Sequence, residues 1–419
     1  MELKQYFTKK QALYFWAITK KIFNALFHLT FFNYMRIGIV VNSAWNIYNF
    51  RLGLVRSLLN SKYKVVAIAP DDGYASKLKQ EGCEFYHLDI DSKGTNPLND
   101  FNLTKNLVKI YKKAKLDAVL HYTIKPNIYG SIAAKIAGIP SINNVTGLGT
   151  VFIHDNFSSK VAHWLYKISF QFPQTVFFQN EDDRSLFLQK KLVNKNITDV
   201  LPGSGIDIQR FQPQGHRSRN PKFTFLMVAR MLYDKGVIEY INAVRILQKQ
   251  GVNARFCMLG KIETDRNLGI PPQQIEQWEK EGIIEYLGTT EDVRPFIEQS
   301  DCMILPSYRE GTPRTLIEAA SMGKPIVTTD VPGCRETVED EQNGFLCEVR
   351  NPIDLAEKMR QMLEADEQKL QRMGKHSREL ALRKFDQNIV IRKYQSAISS
   401  LKPDHISTQY LPAPVSVRV

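Results

Sequence analysis

From Met35 onward the chain alternates short apolar runs with longer stretches of helical periodicity. A parallel sheet covered by helices leaves this pattern in a sequence. The apolar runs predict strands at Ile37–Val41, Val65–Ala69, Phe85–Leu88, Ala118–His121, Ser141–Val145 and Val176–Phe178. Apolar positions three and four apart predict helices at Asn49–Asn60, Leu103–Lys113, Asn127–Ala137 and Glu181–Lys190. Around Leu201–Lys222 the pattern breaks into LPGSGIDIQRFQPQGHRSRNPK, rich in Gly, Pro and charge as interdomain connections are. The alternation then restarts, with strands at Phe223–Val228, Phe256–Leu259, Ile284–Leu287, Cys302–Leu305 and Ile326–Thr328 and helices at Val237–Gln250, Pro272–Glu281 and Pro313–Ser321. Helical pattern continues from Pro352 to about Ser400.

The expected architecture is therefore α/β, with two doubly wound Rossmann-like domains facing a central cleft. The boundaries place the first domain at 35–202, a linker at 203–222 and the second domain at 223–384. A helix over 385–400 is expected to pack back on the first domain, and 401–419, with three prolines and little periodicity, reads as a disordered tail. A chain of 419 residues is long enough for two such cores. Open α/β sheets bind ligands at the carboxyl ends of their strands, so the chemistry is expected between the domains.

A formal charge of +13 calls for an anionic partner, whether nucleic acid, an acidic membrane or a phosphorylated substrate. Lys and Arg are spread along the chain without zinc-finger spacing, an RNP-like aromatic pattern or a basic-region helix, which argues against nucleic acid. Five widely spaced cysteines form no CxxC, so neither a disulfide framework nor a zinc site is indicated, and a reducing, cytoplasmic compartment is the simplest reading. Residues 1–34 differ in composition: five lysines against one acid, mixed with Tyr14, Phe15, Trp16, Phe23, Phe27, Phe31 and Phe32. Lys20 and Lys21 interrupt the apolar run, which suits neither a transmembrane span nor a signal-peptide core. Such a segment fits a helix lying in the cytoplasmic membrane surface, or an extension upstream of the first strand.

The most informative segment is Leu305-Pro-Ser-Tyr-Arg-Glu-Gly-Thr-Pro-Arg-Thr-Leu-Ile-Glu318. A strand ends, a short loop carries Glu310, Gly311 and Thr312, and a helix opens with Pro313 in its first turn. The free amides and positive dipole end of such a helix suit a diphosphate, with Gly311 allowing close backbone approach and Glu318 placed to accept from neighbouring hydroxyls. Singly, either acid reads equally well as a helix-dipole or surface residue. The Glu-x7-Glu arrangement, followed by Ala319-Ala-Ser-Met-Gly-Lys-Pro-Ile-Val327 and Gly333-Cys-Arg-Glu336, resembles the family 4 retaining glycosyltransferases of GT-B fold. The resemblance covers nearly all of Met35 to about Ser400. It implies a metal-independent transferase using a UDP-sugar and no cofactor, with Glu310 beside the donor sugar and Glu318 on the ribose hydroxyls.

Val228-Ala-Arg230-Met-Leu-Tyr-Asp-Lys235-Gly236 ends the first strand of the second sheet, and its Arg and Lys can offset charge on a leaving diphosphate. The resemblance assigns Arg230 and Lys235 that role. On the first domain, Trp45, Asn46, Tyr48 and Arg51 sit in a loop without the glycine pair of many family members and either bind acceptor hydroxyls or pack. His121, Lys125 and Asn127 follow the fourth strand, and Gly147 and Gly149 the fifth, at ends facing the cleft. These segments resemble the subgroup that extends undecaprenyl-diphosphate-linked saccharides in capsule, O-antigen and N-glycan assembly, which implies a polyprenyl-linked acceptor at the membrane. Asp89-Ile-Asp91 imitates a metal-binding DxD but belongs to the wrong architecture for one. A nucleotide-sugar epimerase on the same architecture and a non-catalytic membrane scaffold are the rival readings. The first needs acid and base groups on both sugar faces, for which no added cluster is present.

Overall fold

The computed structural model describes residues 35–91, 94, 96–148, 157–214, 222–263 and 268–401. The basic segment 1–34, and the expected tail from residue 402, lie outside the described residues. The first sheet is parallel, in the order β3-β2-β1-β4-β5-β6-β7. Its strands are β1 (Arg36–Val40), β2 (Lys64–Ala69), β3 (Glu84–His87), β4 (Ala118–Tyr122), β5 (Ser141–Val145), β6 (Thr175–Phe178) and β7 (Thr198–Val200). Around it lie α1 (Ala44–Asn60), α2 (Ala75–Gln80), α3 (Pro97–Lys113), α4 (Ser131–Ala137), α5 (Phe157–Ser169) and α6 (Glu181–Gln189). The second sheet, in the order β10-β9-β8-β11-β12-β13, comprises β8 (Thr224–Val228), β9 (Arg255–Leu259), β10 (Glu285–Tyr286), β11 (Cys302–Leu305), β12 (Ile326–Thr329) and β13 (Gly344–Cys347). Its helices are α7 (Val237–Lys249), α8 (Pro272–Lys280), α9 (Arg294–Gln299), α10 (Arg314–Ser321), α11 (Pro352–Glu364) and α12 (Glu367–Leu380), and α13 (Gln387–Ser400) closes the described chain.

The central strands β4, β5 and β11 are buried at every position, as strands covered on both faces must be; β11 is apolar throughout, while β4 and β5 also bury His121, Ser141, Asn143 and Asn144. Two strands escape the pattern. β7 reads Thr-Asp-Val on an exposed edge, and β13 opens on Gly344, where a side chain would run into the Ile326 carbonyl. In each sheet the strand order reverses beside the first strand, between β1 and β4 and between β8 and β11, opening a crevice at the carboxyl ends.

Helix α1 begins earlier than its periodicity predicts. Ser43 is extended and its Oγ accepts from the Asn46 amide at 3.1 Å, so Trp45, Asn46 and Tyr48 join Arg51 in the first two turns of a helix and do not lie in a loop. The expected linker also differs. Of 203–222, the stretch 215–221 lies outside the described residues, and the part before it is docked. Phe211 is buried in the second core, and Arg378 donates to the carbonyls of Ile208 at 3.0 Å and Phe211 at 2.9 Å.

The outgoing and returning chains run side by side. The Ile206 amide donates to the Phe385 carbonyl at 2.7 Å, and the Gln387 amide to the Ile206 carbonyl at 2.9 Å. Helix α13 then packs on the first domain, burying Val390, Tyr394 and Ile398 with Leu54, Tyr122 and Phe177. Asn144 Nδ2 donates to the Tyr394 hydroxyl at 2.8 Å. Tyr394→Ala is expected to destabilise the first domain by about 3–5 kcal/mol, as deletion of a buried aromatic ring does. Urea denaturation of the full chain measures it, and a loss below about 1 kcal/mol would separate α13 from that core.

Candidate active site

The ends of β8 and β11 are held together by backbone contact. Gly236, at a φ of 73°, leaves no space for a side chain against the Pro306 carbonyl. The Tyr308 amide donates to the Asp234 carbonyl at 2.8 Å, and Ser307 Oγ lies 3.0 Å from the same oxygen. This contact brings Lys235 to Glu310: Nζ lies 2.5 Å from Oε1, and Ser307 Oγ donates to that oxygen at 2.9 Å. Both side chains are largely buried, at 18% and 16% exposure. Burial pulls the Lys235 ammonium down, but Glu310 and Asp234 together outweigh it and hold it above its ordinary value. Both hydrogen bonds fall on Oε1, which leaves Glu310 Oε2 for another partner. Arg230 is close enough to act on Lys235 by charge repulsion, is itself 58% exposed, and faces Glu263 at 3.6 Å.

Helix α10 starts one residue later than expected, with Pro313 as its cap and Arg314 as its first residue. The Arg314 and Thr315 amides have no place in the helix's own ladder and lie at its positive end. One turn on, Glu318 is buried and accepts from Arg314 Nε at 2.9 Å. Burial raises the Glu318 carboxyl above its ordinary range, with Arg314 acting against that shift. Arg314 also donates through Nη1 to Ser204 Oγ at 3.1 Å and the Gly205 carbonyl at 3.2 Å. The sequence reading gave Arg314 no role, although its four-residue spacing from Glu318 was the available signal.

The Glu310–Thr312 turn is also pressed against the first domain. A Cβ at Gly311 would run into the Thr146 carbonyl and stand 2.6 Å from Gln179 Oε1. Gly147, at a φ of 121°, abuts the Gly311 amide, while Gly149 lies outside the described residues. Asn180 Nδ2 donates to the Gly311 carbonyl at 2.7 Å, and Thr312 Oγ1 to the Gln179 carbonyl at 2.9 Å. Beside them Arg309 pairs with the fully buried Asp183 carboxylate, and Arg335 pairs with Asp182 at 3.1 Å. Sequence reasoning missed Asn180, Asp183 and Arg309, because Asn180-Glu-Asp-Asp183 announced only a helix start.

Two paired α/β domains with a diphosphate-suited turn between them narrow the comparison. Residues 36–180 match the family model described as glycosyl transferase 4-like, and residues 208–380 that of glycosyl transferases group 1. A Campylobacter jejuni protein, N,N'-diacetylbacillosaminyl-diphospho-undecaprenol alpha-1,3-N-acetylgalactosaminyltransferase, is 31% identical over 86% of this chain and 97% of its own length. The chain belongs to the family 4-like, group 1 glycosyltransferases. An Escherichia coli UDP-Gal:alpha-D-GlcNAc-diphosphoundecaprenol alpha-1,3-galactosyltransferase is 24% identical over 71% of this chain and 79% of its own. The crystal structure of Anabaena HepE in complex with UDP and glucose shares the fold, with a TM-score of 0.73 at 19% identity over 88% of this chain and all of that one.

In this glycosyltransferase several residues expected on the acceptor side are committed elsewhere. His121 is sealed in the core, Nδ1 at 2.9 Å from Asn143 Oδ1 and Nε2 at 2.9 Å from the Tyr111 hydroxyl. Asn143 Nδ2 already donates to Ser131 Oγ and the Asn127 carbonyl, so Oδ1 accepts, and His121 carries its proton on Nδ1 and accepts from Tyr111. It therefore cannot meet an acceptor. Lys125 is paired with Asp100 at 2.6 Å, and Asp100 also accepts from the Tyr129 hydroxyl at 2.7 Å. Asn127 is buried and donates to the Asn144 carbonyl at 2.8 Å. Asn46 and Arg51 point inward, and Tyr48 packs on Tyr74, leaving Trp45, 42% exposed, as the open one of this set. Asp89 is solvent-exposed and pairs with His87 at 2.9 Å, while Asp91 accepts from the Gly94 amide at 2.8 Å. The described residues gather no group of three or more His, Cys, Asp or Glu side chains suited to a metal.

Burial lowers His121 to a pKa of about 4, with the Asn143 bond opposing. The unfolded chain then binds the extra proton first, so the contribution is intact above the unfolded value of about 6.5 and is lost as pH falls toward about 4. Stability of the first domain is expected to drop by about 2 kcal/mol between about pH 7 and about pH 5, measured by urea denaturation. A His121→Gln variant should lose this part of the acid sensitivity; an unchanged profile would place the titrating group elsewhere.

Proposed function

We propose that this glycosyltransferase moves a hexose or N-acetylhexosamine from a UDP-sugar to an undecaprenyl-diphosphate-linked saccharide, with retention at the anomeric carbon, at the cytoplasmic face of the membrane. The observation that carries the donor site is the buried Lys235–Glu310 pair beside the open amides of α10. A diphosphate placed there meets the Lys235 ammonium, the Arg230 guanidinium and the helix start, while Glu310 Oε2 faces the sugar and Glu318 the ribose hydroxyls. The bond from the anomeric carbon to the diphosphate oxygen breaks, and its electron pair leaves with the UDP. The acceptor hydroxyl attacks from the same face and gives its proton to the departing oxygen. These cationic and amide groups offset the developing charge without a metal ion.

The acceptor class is supported by the names of the Campylobacter and Escherichia relatives, both of which act on diphospho-undecaprenol substrates. The membrane reading rests on the basic, aromatic composition of residues 1–34 and on exposed Leu98, Phe101 and Trp164 on the first domain. No helix among the described residues is long and apolar enough to cross a membrane.

Radiolabelled transfer from a panel of UDP-sugars to an undecaprenyl-diphosphate monosaccharide, in EDTA, tests the proposal. Label is expected in the lipid phase with one donor. Lys235→Ala and Glu310→Ala should each lower turnover by about 100- to 1000-fold, the usual loss for a group that stabilises transition-state charge. Label appearing only on soluble saccharides would remove the lipid-linked acceptor. Turnover that returns only with added divalent ions would remove the metal-independent scheme.

A further inference from the structure

The Glu318 carboxylate has one claimed oxygen and one open one. Arg314 Nε donates to Oε1 at 2.9 Å, and no hydrogen bond among the described residues reaches Oε2. Both side chains lie largely inside the protein, at 18% exposure for Arg314 and 10% for Glu318. A glutamate side chain turns about three bonds, so it keeps one direction only where a neighbour fixes it. An Arg and a Glu four apart on an exposed helix would form a weak pair. This pair is buried, and its cation is tied elsewhere as well.

The other end of the guanidinium is fixed to a different part of the chain. Nη1 donates to Ser204 Oγ at 3.1 Å and to the Gly205 carbonyl at 3.2 Å, on the outgoing crossing between the domains. That anchor is itself hemmed in. A Cβ at Gly205, whose φ is 69°, would stand 2.5 Å from Gln387 Cα, and one at Gly203 would stand 2.9 Å from the Thr312 side chain. The Ile206 amide, next along, is bonded to the Phe385 carbonyl. Phe50 of α1 lies against the guanidinium, with 5.2 Å from Cζ to the ring centroid. The planar fork thus meets the crossing, the first domain and the Glu318 carboxylate at once, which a single ammonium group could not do. Burial raises the Glu318 carboxyl and Asp292 adds to that, while Arg314 and Arg210 oppose both. Arg314 therefore favours the ionised form, which only accepts hydrogen bonds.

We propose that Arg314 is a positioning residue for donor recognition, holding Glu318 Oε2 toward the ribose hydroxyls by anchoring the other oxygen to the Ser204–Gly205 crossing. This role rests on the reading of Glu318 as the acid that meets the ribose. Its consequence is selective. Arg314 acts on the part of nucleotide binding that comes from the ribose hydroxyls and leaves the diphosphate contacts at Lys235, Arg230 and the α10 start as they are. A guanidinium that only stabilised α10 would affect every part of the nucleotide alike.

Calorimetric titration of UDP and of 2′,3′-dideoxy-UDP against the full-length chain separates the two cases. Wild type is expected to bind UDP about 10- to 100-fold more tightly than the dideoxy nucleotide, as hydrogen bonds to a charged group imply. In Arg314→Met this ratio should fall below about threefold, with UDP weakened and dideoxy-UDP bound within about twofold of wild type. Glu318→Met, of similar length but without an accepting oxygen, tests the ribose reading by itself. A wild-type ratio near one, or an undiminished ratio in Glu318→Met, would remove Glu318 from the ribose and this role of Arg314 with it. A ratio lost in Glu318→Met but kept in Arg314→Met, even with both nucleotides equally weakened, would overturn the proposal and leave the ribose reading standing. Should Arg314→Met fail to fold, Arg314→Lys keeps the buried charge without the fork. Its ratio should fall at least about threefold below that of wild type, and an unchanged ratio there would equally overturn the positioning role.

Discussion

The turn at Glu310–Gly311 has no room to move sideways, and the rest of the site depends on that fit. On one side it meets Thr146, Gly147 and Gln179 of the first domain, and on the other Gly333, where any side chain would strike the Glu310 and Gly311 carbonyls. Carbonyls packed this tightly at a domain boundary must be hydrogen-bonded, since a buried unpaired one costs about 1–3 kcal/mol. Asn180 supplies that bond from the opposite domain. The backbone that aims Glu310 at Lys235 is therefore held partly by residues of the other sheet.

This arrangement joins two properties that are separable in many two-domain proteins. Interfaces between domains of one chain ordinarily permit relative motion. Here the Arg309–Asp183 pair, the Asn180 bond and the Thr312 bond converge on the turn that also leads into α10. Opening the domains would release the turn, so closure and donor-site order belong to one equilibrium, in the manner of enzymes whose catalytic groups assemble on closing. The two crossings between the domains are tied to each other by the backbone hydrogen bonds of Ile206 with Phe385 and Gln387.

Much of the architecture was legible in the sequence, for a physical reason. Strands covered on both faces carry apolar runs, so β11 (Cys-Met-Ile-Leu) and the Ala-Val-Leu start of β4 stood out, whereas β7, Thr-Asp-Val on an exposed edge, carried too little apolar content to do so. The Glu310–Glu318 motif was legible because strand, loop and helix start follow each other without interruption. Side-chain direction was not. His121 and Lys125 follow the expected strand into the expected region, yet one turns into a polar core with Tyr111 and Asn143 and the other meets Asp100, a partner 25 residues away. Ser43 moved three acceptor-side candidates, Trp45, Asn46 and Tyr48, from a loop into a helix through one capping bond. The Asn180 and Asp183 contacts join positions more than 120 residues apart, and no local pattern encodes them.

Calorimetric titration of UDP against wild type and Asp183→Ala tests this dependence most directly. Asp183 lies on the first domain, buried under Arg309, outside the groups that would hold the nucleotide. If interdomain packing builds the donor site, the variant binds UDP at least about tenfold more weakly than wild type. Equal affinity in a variant that remains folded would mean that the second domain forms the site alone, contradicting the account.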